Sequence, residues 1–269
     1  MRAESKLFCP QPGERPTPAS VSRFFENIET EVRLLPGAPA RLLLEYYREA
    51  GLLGRPFKRG FFEHHFVQNV AKAARTIFDG ARTPRVLDLG CGMGTQSIFF
   101  ALSGATVLGV DMDGDALRVA KQRSALYEKS SGKRLDVRFV EADAFQFDFS
   151  GSGAVDVIYS LFAFNMIQPT NVLLDRLLPA LRPGGLLIVQ DGNRKMWFNR
   201  IFRRRPVLSR SELAEQLEKR GLRMEAVGGL YALPPFLWRL PALAEPIDRT
   251  LRGKELFAGS FLHIARSRE

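Results

Sequence analysis

The feature that most constrains the fold of this chain is a short apolar segment that runs directly into a glycine-rich turn. The apolar segment covers residues 86–89, and a helical pattern begins at Thr95. The turn between them contains Gly90, Gly92 and Gly94. Glycine permits a tight turn and lets a ligand approach the backbone closely. The N–H groups at the start of the following helix point toward such a ligand. The segment therefore predicts a strand, a ligand-binding turn and a helix.

Strand and helix patterns alternate after Pro84. The strands are predicted at residues 85–89, 106–110, 137–140, 155–160 and 185–190, and the helices at 95–102, 114–129 and 171–181. A capping box at Ser209 and Glu212 opens a further helix, and strands near 222–228 and 257–265 complete the pattern. This alternation predicts an α/β fold with a mostly parallel, doubly wound sheet.

The region before Pro84 has a different texture. Residues 1–20 contain four prolines and few apolar side chains, which predicts a disordered tail. Residues 21–84 show helical spacing near 21–35, 39–51 and 61–78. We therefore expect an N-terminal helical cover over residues 21–84, followed by the main domain over residues 85–269.

Two classes of cofactor use a glycine turn of this kind. The dinucleotide fingerprint is G-x-G-x-x-G, but its third glycine would fall on Thr95, and the spacing found is G-x-G-x-G. Asp88 lies just before the turn, where an acid is unfavourable beside a pyrophosphate. S-adenosylmethionine carries no phosphate and presents cationic sulfonium and ammonium groups. The turn therefore favours S-adenosylmethionine as the cofactor.

Acidic residues also end the next two predicted strands. Asp111 lies 23 residues after Asp88, where a carboxylate can accept hydrogen bonds from both ribose hydroxyls. Asp143 ends the third strand, where it can meet an adenine amino group. The fifth strand opens with Arg-Pro-Gly-Gly at residues 182–185.

Taken together, these motifs over about residues 84–265 resemble the class I S-adenosylmethionine-dependent methyltransferases. The resemblance implies a Rossmann-like, seven-stranded sheet whose last strand, near 257–265, is antiparallel. It also implies a cofactor across the carboxyl ends of the strands, bound by Asp88, Gly90, Cys91, Gly92, Gly94, Asp111, Met112, Asp143, Ala144 and Ser160. Two of these have an alternative interpretation: Asp88 as a stabiliser of the turn and its helix, and Cys91 as a small packing residue.

The catalytic residues are not evident from the sequence. Residues 160–168 lack the signatures of amino-directed DNA methylation and of cytosine-C5 methylation. His64, His65 and Asn165 are weak candidates, and each also fits a structural role, as does His263 in the last strand. Two cysteines and three histidines leave no pattern for a metal centre, so we expect no metal.

The positive charge is concentrated near the carboxyl terminus. The formal net charge is +10, and residues 194–269 carry +8 of it. Residues 194–205 hold six basic side chains and Trp197, and residues 230–256 are rich in apolar side chains and include Trp238. We expect both segments at the rim of the pocket. They would contact an anionic membrane surface or substrate, nucleic acid being the least favoured partner, or they would only pack and face water.

These patterns predict an enzyme that transfers a methyl group from S-adenosylmethionine to a small, largely apolar acceptor. A lipid, quinone or polyketide methylated at oxygen is the leading hypothesis. RNA methylation by the basic C-terminal part is one alternative, and a non-catalytic binding module with this fold is another. The N-terminus lacks the apolar run of a secretory signal, so a cytoplasmic protein is expected, with peripheral contact at the membrane as a further expectation.

Overall fold

The computed structural model describes residues 7–53, 56–80, 83–197 and 208–268. Its strands form one seven-stranded sheet in the order β3-β2-β1-β4-β5-β7-β6. The strands are β1 Arg85–Leu89, β2 Thr106–Asp111, β3 Val137–Glu141, β4 Val155–Leu161, β5 Leu181–Gly192, β6 Arg223–Gly229 and β7 Ser260–Arg266. Strand β7 pairs antiparallel with both β5 and β6. The Rossmann-like α/β sheet with an antiparallel last strand is thereby confirmed.

After β1, α-helices lie between consecutive strands as the sequence pattern predicts, except between β3 and β4, where only a short 3-10 turn stands. Those in the described ranges are α1 Pro18–Leu34, α2 Gly37–Ala50, α3 Pro56–Phe62, α4 Gln68–Gly80, α5 Thr95–Leu102, α6 Gly114–Ser131, α7 Thr170–Leu177, α8 Arg210–Lys219 and α9 Pro241–Leu251. Short 3-10 turns lie at Ser150–Ser152, Leu178–Ala180 and Pro235–Arg239. None of the helices in these ranges is long and apolar enough to cross a lipid bilayer.

The chain divides into two compact units, Met1–Glu141 and Ala142–Glu269. In the first unit, β1, β2 and β3 pair in parallel. Helix α5 is apolar on nearly every side and is buried from Ser97 to Leu102. Phe24 of α1 packs on this core, with its ring centroid 5.2 Å from Phe99 and stacked on Tyr127 of α6 at the same distance. Aromatic side chains therefore tie the first helix to the sheet layer.

The expectation of a disordered tail over residues 1–20 is wrong for residues 7–20. Leu7 is buried, and the Phe8 N–H donates to Asn27 Oδ1 at 2.9 Å while Asn27 Nδ2 donates back to the Phe8 carbonyl at 2.8 Å. Helix α1 already begins at Pro18, because Thr17 caps it. The prolines correctly indicate that residues 7–16 do not form a helix. They cannot show that this segment is ordered by its hydrogen bonds to the Asn27 side chain. Residues 1–6 lie outside the described ranges.

The helix predicted near 61–78 is longer and contains an irregularity. It consists of α3, a π-helical turn at Glu63–Val67, and α4. A π turn inserts one extra residue, so side chains before and after it lie on different faces than a regular helix would give. Periodicity over a continuous 3.6-residue repeat cannot reveal this shift.

The second unit is built on β4 and β5, which pair in parallel, and on β7, which lies between β5 and β6. The predicted capping box is present: Ser209 Oγ accepts from the Glu212 N–H, and the Glu212 side chain accepts from the Ser209 N–H at 3.1 Å. Helix α9 was not predicted. Pro241 opens it at the first helical position, where the missing N–H costs no hydrogen bond.

Candidate functional site

The glycine turn has the backbone shape that its sequence predicts. Gly90, Gly92 and Gly94 all adopt positive φ angles, of 72°, 51° and 72°. The Gly90 N–H donates to the Val110 carbonyl at 2.8 Å, which fastens the turn to β2. A Cβ atom at Gly94 would lie 2.9 Å from the Ala120 Cβ, closer than real contacts allow. Glycine is therefore required at position 94 both by conformation and by packing.

Asp111 at the end of β2 closes the turn from the other side. Its Oδ2 accepts from the Gly92 N–H at 2.7 Å, and its Oδ1 accepts from the Asp113 N–H at 2.9 Å. The side chain is half-buried. Each carboxylate oxygen has two lone pairs, so both retain the capacity to accept one more hydrogen bond. The residue can thus hold the turn and bind a pair of hydroxyls at once.

Asp88 is buried inside β1 and bonds to the helix that follows the turn. Its Oδ2 accepts from Ser97 Oγ at 2.5 Å. Burial raises the pKa of Asp88 to about 7, an effect opposed by the Ser97 hydrogen bond and reinforced by the nearby Asp111 carboxylate. This contact agrees with the interpretation of Asp88 as a stabiliser of the turn and helix α5.

Two other predicted cofactor residues differ in exposure. Cys91 is buried, and its Sγ lies 2.9 Å from the position that a Cβ on Gly109 would take. Burial, with the Asp88 and Asp111 carboxylates, raises the pKa of the Cys91 thiol well above its usual range. It therefore remains protonated and fills space beside β2. The Met112 side chain, one residue after Asp111, is exposed.

A buried arginine connects the glycine turn to the N-terminal helices. Arg123 of α6 donates through Nη1 to the Met93 carbonyl at 2.6 Å and to Thr95 Oγ1 at 2.7 Å. Its Nε and Nη2 bond to Glu31 of α1, and neither side chain of this ion pair is exposed. One guanidinium thus holds two positions of the turn and one of the first helix.

The same network extends to the second helix. Tyr47 of α2 hydrogen-bonds to Thr95 Oγ1 at 2.6 Å, and Tyr127 donates to Glu31 Oε1 at 2.6 Å. Burial raises the pKa of Tyr127 well above its usual range, which keeps the hydroxyl a donor. Sequence analysis missed this network. The available signal was that Glu31 lies among Phe24, Phe25 and Ile28 on the apolar face of α1.

The predicted cofactor residues of the second unit lie on and before β4. Asp143 is exposed, and its Oδ1 accepts from the Phe145 N–H at 2.8 Å, which shapes the turn after β3. Ala144 is buried, and Ser160 is buried within β4. Cofactor contacts for these three residues remain predictions.

Asn165, a weak catalytic candidate, has its side chain committed to structure. Its Nδ2 donates to Asp191 and to the Gly192 carbonyl, and its Oδ1 accepts from the Leu208 N–H at 2.8 Å. Asp191 at the end of β5 is buried and also accepts from the Asn165 N–H at 2.9 Å. The amide therefore fastens the loop after β4 to the end of β5, which leaves it poorly placed to act as a base.

The other two catalytic candidates lie in the π-helical turn. His65 is buried, and His64 is half-buried. Their rings are 4.8 Å apart and nearly perpendicular, and the His65 ring lies at the same distance from Phe61. The two imidazoles are therefore in contact, with one ring nitrogen of each within 4.8 Å of the other. A catalytic role for either stays a prediction.

His263 is buried within β7, beside Phe261. Burial lowers the pKa of His263 to about 4, partly offset by a hydrogen bond with the Arg210 backbone. The unfolded chain therefore binds this proton near pH 6.5 and the folded chain only near pH 4. The histidine's contribution to stability is complete above pH 6.5 and is lost as the pH falls toward 4.

Between pH 7 and pH 4.5, we expect the free energy of unfolding of the wild type to fall by about 2–3 kcal/mol more than that of His263→Gln. Urea unfolding at each pH measures both values. Asp88 responds to pH in the opposite sense, because its pKa is raised, but it is present in both proteins and cancels from the difference. Parallel stability curves for the two proteins would show that His263 does not titrate in this range.

The basic and apolar rim segments are only partly described. Residues 198–205 of the first segment lie outside the described ranges. At its start, Arg194 pairs with Glu212. Trp197 has an exposed side chain, and its backbone N–H donates to the Leu256 carbonyl at 2.9 Å. Trp238 of the second segment is buried. Burial of Trp238 agrees with the alternative in which this part of the segment packs, and the position of both segments at the pocket rim stays a prediction.

Comparison with known proteins agrees with this geometry. Residues 86–185 match the protein family described as "Methyltransferase domain". A demethylmenaquinone methyltransferase of Clavibacter sepedonicus is 35% identical over 105 residues, which cover 39% of this chain and 40% of that protein. A ubiquinone biosynthesis O-methyltransferase of Idiomarina loihiensis is 29% identical over 144 residues, 53% of this chain and 52% of that protein. The chain thus spans about half the length, or less, of these relatives.

Solved structures share the fold at low sequence identity. The N-methyltransferase NodS from Bradyrhizobium japonicum, in complex with S-adenosyl-L-homocysteine, has a TM-score of 0.57 at 14% identity, covering 91% of this chain and 98% of that one. Magnesium protoporphyrin IX methyltransferase from Synechocystis, with bound S-adenosylmethionine, has a TM-score of 0.56 at 16% identity, covering 86% and 98%. Residues 86–185 thus form a methyltransferase domain, and its glycine turn and sheet order support a class I, S-adenosylmethionine-dependent methyltransferase.

Proposed function

We propose that this protein transfers a methyl group from S-adenosylmethionine to a small, largely apolar acceptor, at an oxygen atom. The observation that carries the proposal is the junction of the glycine turn with Asp111, where one carboxylate holds the Gly92 N–H and keeps acceptor capacity on both oxygens. That arrangement suits the two ribose hydroxyls of the cofactor. The names of the two quinone-related relatives support an apolar acceptor, and one of them supports oxygen as the methylated atom.

The residues of the turn fit S-adenosylmethionine better than a phosphate-bearing cofactor. Two carboxylates, Asp88 and Asp111, lie at the turn, and Thr95 stands where a dinucleotide site has its third glycine. When bound, S-adenosylmethionine supplies a methyl group activated by the sulfonium. Because such a transfer depends chiefly on in-line approach, the chain contributes by binding and orienting the two reactants.

The loop after β4 supports an apolar acceptor within the second unit. Phe162 has a φ of 57°, a strained conformation for a residue with a side chain. Its N–H donates to the Gln190 carbonyl at 2.7 Å, and its ring is exposed, as is Met166. Phe164, by contrast, is buried in the core. Strained backbone that presents apolar side chains at the carboxyl end of a strand is typical of a substrate-binding loop.

The described basic residues give less support to RNA as the acceptor. Arg194, Arg220 and Arg266 form ion pairs with Glu212, Asp175 and Glu225. Lys195 lies 3.6 Å from Glu255. Cations that are already paired contribute little to a phosphate-tracking surface. A steep loss of RNA binding with added salt would revive the RNA hypothesis.

The cofactor assignment is tested by titration calorimetry. We expect S-adenosylmethionine and S-adenosylhomocysteine to bind to the purified protein with defined stoichiometry, and NADH to give no heat. The reason is that Thr95 stands where a dinucleotide turn has its third glycine, and that the acid Asp88 lies just before the turn. Heat of binding with NADH, and none with S-adenosylmethionine or S-adenosylhomocysteine, would overturn the proposed function. The acceptor is then sought by transfer of a labelled methyl group to quinols, hydroxylated lipids and RNA, tested side by side.

A further inference from the structure

Two neighbouring tyrosines of helix α2 lie beside the glycine turn but differ in exposure. Tyr47 is buried, and its hydroxyl lies 2.6 Å from Oγ1 of Thr95, the first residue of α5. Tyr46 is 50% exposed, and its ring lies 5.1 Å from the Tyr47 ring at an angle of 85°. Adjacent residues of a helix point about 100° apart. Tyr47 therefore anchors α2 to the end of the turn, and Tyr46 stands beside that anchor with half of its surface accessible.

The hydroxyl of Tyr46 lies in a recess next to the glycine turn. Burial raises the pKa of Tyr46 although half of the side chain is accessible, and the Arg123 guanidinium partly opposes this rise. Both effects require the hydroxyl to lie among protein atoms and close to Arg123. Arg123 in turn donates to the Met93 carbonyl at 2.6 Å and to Thr95 Oγ1 at 2.7 Å. The accessible surface of Tyr46 therefore belongs to a cleft at the turn and not to the outer face of α2.

The two sides of the glycine turn suit groups of opposite charge. On the side of the strands, the Asp111 carboxylate accepts from the Gly92 N–H and keeps further acceptor capacity. On the other side, helix α5 begins at Thr95, and the amino end of a helix stabilises a negative charge. Tyr46 lies on this second side, and its raised pKa keeps its hydroxyl protonated at neutral pH. It is therefore a hydrogen-bond donor at the place that favours an anionic group.

We propose that the Tyr46 hydroxyl donates a hydrogen bond to the methionyl carboxylate of S-adenosylmethionine. The carboxylate is the anionic group of this cofactor, and it matches a neutral donor beside the start of α5. Tyr47 acts differently, because its hydroxyl is already bonded to Thr95 and reaches the cofactor only through the turn. Tyr46 is thus a cofactor-binding residue and Tyr47 a positioning residue. This contact rests on the cofactor of the proposed function and not on the identity of the acceptor.

Calorimetric titration with two ligands tests the contact. S-adenosylmethionine and its decarboxylated form differ only in the carboxylate, and Tyr46→Phe removes the hydroxyl but keeps the ring. We expect this variant to bind S-adenosylmethionine at least about tenfold more weakly than the wild type, because a hydrogen bond to a charged group is lost. Its affinity for decarboxylated S-adenosylmethionine should stay within about twofold of the wild type, since that ligand has no carboxylate to lose.

Two further variants serve as controls. Tyr47→Phe removes the neighbouring hydroxyl, which holds the turn through Thr95, so any loss of affinity should be the same for both ligands. Leu42→Ala truncates an exposed side chain one turn earlier on α2 and should change neither affinity. Urea unfolding of each variant verifies that the protein remains folded.

Two results would overturn the contact and leave the cofactor in place. One is a Tyr46→Phe protein that binds S-adenosylmethionine as tightly as the wild type. The other is an equal loss of affinity for both ligands in Tyr46→Phe, which would place the hydroxyl at another part of the cofactor or at the turn itself. A wild type that binds neither ligand would overturn the cofactor of the proposed function, and the Tyr46 contact with it.

Discussion

Replacing Glu31 with glutamine is expected to lower the free energy of unfolding by about 3–5 kcal/mol. Glu31 and Arg123 form an ion pair with no exposed side-chain surface, so the neutral amide would leave a guanidinium buried without its counter-charge. Tyr127 would also lose a carboxylate acceptor. Urea unfolding measures the change, and Glu29→Gln, an exposed acid on the same helix, is the control that should stay near zero.

A double replacement separates the stability of the pair from its effect on the turn. Glu31→Met with Arg123→Met removes both charges, and apolar replacement of a buried pair often restores stability. It also removes the hydrogen bonds from Arg123 to the Met93 carbonyl and Thr95 Oγ1. We expect recovered stability with weakened S-adenosylmethionine binding. A Glu31→Gln protein as stable as the wild type would contradict the assignment of a buried charge pair.

Asp111→Ala is expected to weaken cofactor binding by roughly 10- to 150-fold, corresponding to about 1.5–3 kcal/mol for charge-assisted hydrogen bonds. The structure adds a second reason, because the same carboxylate accepts from the Gly92 N–H and shapes the turn. Asp111→Asn keeps one acceptor oxygen and should fall between the wild type and the alanine variant. Calorimetric titration with S-adenosylhomocysteine gives each affinity.

Asp115→Ala is the matched control for this measurement. Asp115 is an exposed acid four residues further on, at the start of α6, and it pairs with Arg118 at 2.7 Å. Its loss should leave the affinity unchanged. A change of less than threefold for Asp111→Ala would mean that the ribose is held elsewhere.

The sheet could be predicted closely because its strands are short, buried and set between helices. The predicted strands at 85–89 and 106–110 agree with β1 and β2 to within one residue. Strand β5 covers Leu181–Gly192 and is longer than the predicted 185–190, since it includes the whole Arg-Pro-Gly-Gly stretch. Glycine and proline indicate where a chain can turn, but pairing with a neighbouring strand, here β4, can keep the same residues in the sheet.

Residues 230–243 form neither one continuous helix nor an entirely exposed segment. Pro235 and Pro241 open the 3-10 turn and α9, so the prolines divide the segment into two short elements. Trp238 is buried, whereas the neighbouring Phe236 and Leu237 are exposed. Composition identifies an unusual segment, but only tertiary packing decides which of its faces is turned outward.

The polar network at the glycine turn lay beyond sequence reasoning for a different reason. Charged residues are rarely buried unless paired, so Glu31 and Arg123 would normally be assigned to the surface. They lie 92 positions apart, and the residues around each of them do not indicate which residue is its partner. Pairing at such a distance becomes visible only when the fold brings α1 and α6 together.

The hydrogen bonds of Thr95 restrict which N-terminal helices could replace those of this chain in a chimera. Its hydroxyl joins the glycine turn to Tyr47 and Arg123, and Arg123 reaches Glu31. A chimera that grafts the first 80 residues of another methyltransferase onto this chain would therefore have to import an acid able to meet Arg123 and a hydroxyl able to meet Thr95. Without them, the Arg123 guanidinium would be buried next to the turn without a counter-charge. The N-terminal helices are thus coupled to the turn by these contacts and cannot be exchanged independently of it.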